Sequence, residues 1–196
     1  MRRDKLITAV LLATLVVFSA SYAYAEDFVA HLNGFQEIGA LAGPTGAIRA
    51  NGTGTLHLDL DRKAGTAKWT LTYTGVGTTG PLTGTVTQAH IHFGKRHVAG
   101  GVMVFFCANV TAPAGTQPCP ANSGTVTGTF TSANVLAIPG QNVLANDFDA
   151  LADALESNTA YANIHTTALP AGEIRGQTRR DRRDHDDRHD DKDHGR

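Results

Sequence analysis

Short runs in which every second residue is apolar recur along this chain, and an antiparallel sheet is the architecture that buries such runs on one side. Leu56, Leu58 and Leu60 alternate with His57, Asp59 and Asp61; Trp69, Leu71 and Tyr73 alternate with Thr70, Thr72 and Thr74. Successive side chains on a strand point to opposite faces, so each run has one face for a core and one for water. From Val102 to Cys107 both faces are apolar, which predicts a central strand covered on both sides. Further strands are expected at Phe28–Leu32, Val86–Phe93, Thr125–Thr131, Ala160–Thr166 and Glu173–Thr178, separated by clusters of Gly, Pro, Asn and Ser. The texture is that of a sandwich or barrel. One short helix is predicted over Asp147–Leu155, with Asp147 as cap and Phe148, Leu151, Ala152 and Leu155 on one side, crossing over the sheets.

The two ends differ from this middle. Residues 1–25 read as a signal peptide: a basic start at Arg2, Arg3 and Lys5, an apolar stretch from Leu6 to Ala20, and Ala23-Tyr24-Ala25 as cleavage site. The apolar stretch falls short of the ~20 residues that a membrane-spanning helix needs. The exported chain is expected to begin near Glu26, giving a secreted or periplasmic protein of one domain, residues 26–178. Residues 179–196 contain no apolar side chain and many Asp, Arg and His. Such a segment cannot offset its ordering entropy by burial and is expected to be a disordered tail. Its His185, His189 and His194, set among Asp, form a weak accessory collector of divalent cations; a solvated solubility tail is the plainer reading.

The formal net charge of −1 leaves no basic field for nucleic acid. No polybasic or long apolar segment remains in the exported part to bind or span a membrane. The two cysteines, Cys107 and Cys119, both fall in that part, where an oxidising compartment lets a pair persist, and are expected to form one disulfide. A two-thiolate zinc site fits less well, because such pairs usually sit two to four residues apart.

Chemistry concentrates in Ala89-His90-Ile91-His92-Phe93-Gly94. On a strand, residues two apart share a face, so His90 and His92 can converge on one ion while Ile91 and Phe93 point into the core. Tyr161-Ala162-Asn163-Ile164-His165-Thr166 repeats the pattern, with Tyr161, Asn163 and His165 on one face. His165 is a candidate third ligand. Glu173 and Arg175 share a face of the next strand, where a Glu orients a ligating His or an Arg pairs with it. His90, His92 and His165, with Tyr161, Asn163, Glu173 and Arg175 around them, thus form one candidate site for copper or zinc. The same spacing also suits a wet strand face or a buried hydrogen-bond network. His31, His57 and His97 have no such partners in sequence and are expected at the surface or in loops. No nucleophile elbow, phosphate-binding loop, H-E-x-x-H or dinucleotide fingerprint occurs.

Five segments in order carry a resemblance: Asn33-Gly34-Phe35-Gln36-Glu37; Gly52-Thr53-Gly54-Thr55-Leu56; Ala89 to Gly94; Tyr161 to Thr166; and Pro170-Ala171-Gly172-Glu173-Ile174-Arg175-Gly176. Together they resemble the CHRD domain, named after chordin, over about residues 27–178. The resemblance implies an all-β, immunoglobulin-like or superoxide-dismutase-like antiparallel β-sandwich. In animal chordin it also implies a part in an extracellular antagonist of bone-morphogenetic-type growth factors. That role does not carry over to a single copy without cysteine-rich modules. The H-x-H-x-G segment is also similar to the copper-ligand strand of copper-zinc superoxide dismutases. It departs from them afterwards, since those enzymes place further His and an Asp to hold zinc, whereas here only His97 precedes His165.

Three functions are therefore expected, in this order. The first is an exported, non-catalytic binding module whose partner is an extracytoplasmic protein or a metal ion, since no acid–base pair or nucleophile can be assigned. The second is a copper- or zinc-binding protein using His90, His92 and His165. The third is a superoxide-dismutase-like redox enzyme on the same site.

Overall fold

Alternation becomes pairing wherever two runs meet. The structure, a computed structural model, describes residues 25–39, 46–81 and 83–181. Residues 1–24 of the expected signal peptide and the tail histidines His185, His189 and His194 lie outside the described residues. The strands are β1 (Glu26–Asn33), β2 (Thr53–Asp61), β3 (Thr66–Thr74), β4 (Val86–Phe93), β5 (Gly101–Ala108), β6 (Gly124–Phe130), β7 (Ala160–Thr166), β8 (Ile174–Gln177) and β9 (Arg179–Arg180). β2 and β3 pair with Leu56 opposite Leu71 and Leu58 opposite Trp69. Their apolar residues are buried, whereas His57, Lys68 and Thr72 are exposed. One period-two pattern thus sets both the strand and its inner face.

All pairings are antiparallel, in the order β5-β4-β7-β8-β1-β2-β3-β6, with β9 beside β1. The sheet rolls until its first and last strands, β5 and β6, meet. Trp69, Phe106 and Phe130 pack where they meet, with ring centroids 4.9 to 5.4 Å apart. The fold is all-β as expected, its two sides facing each other across one core in a nearly closed, barrel-like arrangement. The expected helix is present as α1 (Phe148–Glu156). Asp147 accepts from the backbone N–H of Ala150 at 3.0 Å, and Phe148, Leu151, Ala152 and Leu155 are buried. Arg62, in the β2–β3 turn, bridges to Asp149, Asp153 and Glu156 along its outer side. Among the described residues no helix is long and apolar enough to cross a membrane.

Two details differ from expectation. The apolar strand at Val102–Cys107 is not central: β5 is the first strand in the order. Its pairing with β4 skips Phe106 and then Met103, so that β5 bulges twice. A bulge lets two consecutive residues leave the strict alternation, and Met103–Val104 and Phe106–Cys107 are both buried as pairs. Val135 and Val143, from the segment that follows β6, add to the same core, and the Leu136 N–H caps the Met103 carbonyl at 2.9 Å. The second difference lies at the start of the tail. Arg179 and Arg180 pair with Val29 and Phe28, so the sheet continues two residues past Thr178.

Cys107 and Cys119 are bonded, as expected. Asn109 braces the same loop by donating to the Val86 and Cys119 carbonyls and accepting from the Cys119 N–H.

Candidate metal centre

β4 and β7 are neighbours, with His90 opposite Asn163, His92 opposite Tyr161 and Gln88 opposite His165. Ala89, Ile91, Ala162 and Ile164 fill the core beneath. The histidines therefore project from the outer face, His165 lying on the diagonal from His90, within reach across adjacent strands. An outer face is ordinarily wet. Here three connections cover it: the β4–β5 loop, the β7–β8 turn and the segment after β1.

The cover bonds to the site at each point. His92 Nδ1 meets the Gly100 carbonyl at 2.8 Å, and His165 Nδ1 meets the Pro170 carbonyl at 3.0 Å. A carbonyl only accepts, so both Nδ1 atoms carry the proton and both Nε2 atoms present a lone pair. Those Nε2 atoms, together with His90 Nδ1, are sealed from solvent and have no hydrogen-bond partner. One ligand nitrogen from each histidine lies within 4.8 Å of the others. Nitrogens on a tetrahedral ion sit about 3.3 Å apart, given metal–nitrogen bonds of about 2.0–2.1 Å, so small side-chain adjustments close the set. His90 and His165 are 2% and 6% exposed, and His92 is half-buried.

Electrostatics hold these groups neutral. Burial pushes the His90 pKa well below its ordinary value, and repulsion from His92 and His165 adds to this. Burial takes His92 down to about 3, outweighing its bond to Gly100. His165 is lowered for the same reason, against the pull of the Pro170 carbonyl and of Glu37. Three neutral imidazoles are three ready ligands, because a metal and a proton compete for the same lone pair.

The residues expected around the histidines are all present, in roles that only partly match. Tyr161 stacks on His92, and its hydroxyl accepts from the Gly100 N–H at 3.2 Å. The Arg175 guanidinium lies 3.4 Å from the centre of the Tyr161 ring and donates to the Lys95 and Val98 carbonyls, clamping the β4–β5 loop. Asn163 donates to the Ile174 carbonyl and, at 2.6 Å, to Glu37. Glu173 does not orient a histidine: its two oxygens take the Gly77 N–H and the Thr166 hydroxyl. The buried carboxylate that acts on one of the histidines, His165, is instead Glu37, 3% exposed, whose other oxygen takes the Ile38 and Gly39 N–H groups. Sequence reasoning passed over it as a site residue, although it ends the first of the five segments quoted above. His31, His57 and His97 are exposed, as expected.

No curated protein and no solved structure gives a significant match to the chain. The CHRD domain matches residues 28–178. That span runs from β1 to the residue after β8 and holds Glu37, His90, His92, His165 and both cysteines. Because the match covers most of the chain, and with it every strand that builds the site, this protein belongs to the CHRD domain family.

Proposed function

We propose that this protein is an exported binding module of the CHRD family whose ligand is a transition-metal ion, copper or zinc, held by His90 Nδ1, His92 Nε2 and His165 Nε2. The observation that carries this reading is that one ring nitrogen from each of the three histidines lies within 4.8 Å of the others, and that each ring has a buried nitrogen without a partner. A buried polar atom without a partner costs about 1–3 kcal/mol, and three of them on one cluster of rings are hard to account for as core packing. An ion shared by the three rings would give each a partner. Imidazole suits copper and zinc, and backbone carbonyls that fix the second ring nitrogen are the usual support of a ligating His.

The test is calorimetric titration of the exported chain with Cu(II), Cu(I) and Zn(II), with His185, His189 and His194 replaced by Ala so that the tail contributes nothing. One-to-one binding that is lost in His90→Ala and His165→Ala supports the reading. Binding that survives both substitutions, or none at all, refutes it. Superoxide consumption by the loaded protein, faster than that by the same free ion, would favour the redox enzyme instead.

A further inference from the structure

We infer that this site selects a soft monovalent ion, copper(I), over divalent copper or zinc. The inference rests on the metal-binding reading and adds to it the charge of the ion.

The donor set is wholly neutral. Among the described residues no carboxylate or thiolate joins the three imidazole nitrogens. The buried carboxylates among the described residues are already engaged: Glu37 by Ile38, Gly39 and Asn163, and Glu173 by Gly77 and Thr166. Of the buried charged groups, the Arg175 guanidinium stands against the Tyr161 ring that stacks on His92, and Glu37 is bonded to Asn163 on the same face. An ion bound here therefore meets three neutral donors and, among the described residues, no anionic ligand to neutralise its charge.

The cost of burying an ion grows with the square of its charge, so a divalent ion meets about four times the penalty of a monovalent one. Divalent sites usually meet that cost with carboxylate or thiolate ligands, or with a retained water in a fourth position. Among the described residues this site has no anionic ligand, and aromatic rings flank it: Phe105 lies 5.1 Å from His90 and Tyr161 lies 4.7 Å from His92, centre to centre. Copper(I) is satisfied by three nitrogen donors and needs no fourth.

The experiment uses the full exported chain with the three tail histidines replaced by Ala. Cu(I) is titrated anaerobically against a Cu(I)-specific chelator, and Cu(II) and Zn(II) against chelators of known affinity. Ag(I) against Zn(II) supplies a pair without redox chemistry that differs in charge. Cu(I) and Ag(I) are expected to bind on the order of a hundredfold more tightly than either divalent ion. Arg175→Gln, which removes a positive charge and keeps a donor for the loop carbonyls, is expected to narrow that ratio about tenfold. Zn(II) or Cu(II) held as tightly as Cu(I) would overturn the charge selection and leave the metal site standing. Absence of His90- and His165-dependent binding of every ion overturns both. Should Arg175→Gln fail to fold, the Ag(I)–Zn(II) comparison on the unsubstituted site decides alone.

Discussion

His92 and Tyr161 stack face to face, ring centres 4.7 Å apart and planes 6° from parallel, and one backbone unit, Gly100, ties both. Its carbonyl takes the His92 Nδ1 proton and its N–H donates to the Tyr161 hydroxyl. The ring of a candidate ligand is thereby fixed in tilt by Tyr161 and in tautomer by the loop. Tyr161→Phe keeps the stack and loses only the hydroxyl, so metal affinity should change little. Tyr161→Ala removes the shelf as well and should weaken binding about 10- to 100-fold, the usual effect of losing a group that orients a ligand. Competition titration of both variants checks this; equal effects would mean that the stack is not what positions His92.

Glu37 is the keystone of the polar layer that covers the histidine face. Glu37→Ala strands the Ile38 and Gly39 N–H groups and one Asn163 proton, and should cost about 2–4 kcal/mol in urea unfolding. Gly172, at φ +127°, leaves the space that the Glu37 carboxylate fills; any Cβ there collides with Oε2. Gly172→Ala should therefore lower stability through the same contact. In the double variant the two losses should be less than additive, and full additivity would show that the contact does not matter.

Acid should destabilise the fold through the histidine cluster. Unfolding returns His92 to its ordinary pKa near 6.5, from about 3 when folded, and His90 and His165 are shifted in the same direction. Below 6.5 the unfolded chain binds more protons, so stability falls as pH drops through the window down to about 3; above it the cluster has no such effect. Among the charged groups acting on the cluster, Glu37 eases protonation of His165 and Arg175 opposes that of His92. His92 alone should account for a loss on the order of 2 kcal/mol by about pH 4.5. Urea midpoints between about pH 7.5 and 4.5 measure it. The triple variant His90→Gln, His92→Gln, His165→Gln should flatten the profile, and an unchanged slope would place the acid sensitivity elsewhere.

Reduction of Cys107–Cys119 should lower stability by about 3 kcal/mol on the chain-entropy account of a loop this short. Asn109 holds the same loop by three hydrogen bonds, so the folded structure should survive reduction. Unfolding curves with and without dithiothreitol report the difference, and far-ultraviolet circular dichroism reports survival. Collapse of the strand signal on reduction would show that Asn109 is not a sufficient brace.

Much of this molecule was readable in advance because its information is local. Alternation at Leu56–Leu60 and Trp69–Tyr73 sets strand and face within a few residues, since backbone geometry alone turns successive side chains to opposite sides. β4 and β7 have the bounds expected of them, Asp147 caps α1, and His90 shares a face with His92 for the same reason. The run at Val102–Cys107 misled because two bulges, not a central position, bury its consecutive apolar residues. Bulges depend on the partner strand, and no local pattern announces them.

The sequence by itself determined the class of fold, the faces of the strands, the disulfide and the three histidines worth watching. Only the tertiary structure decided that β7 lies beside β4, which brings His165 to His90 and His92. It also decided that Gly100, Pro170 and Glu37 close over an outer face that alternation alone would leave wet. The physical reason is range. Side-chain direction along a strand is set by neighbouring dihedral angles, whereas strand order and loop cover are set by packing between segments far apart in the chain.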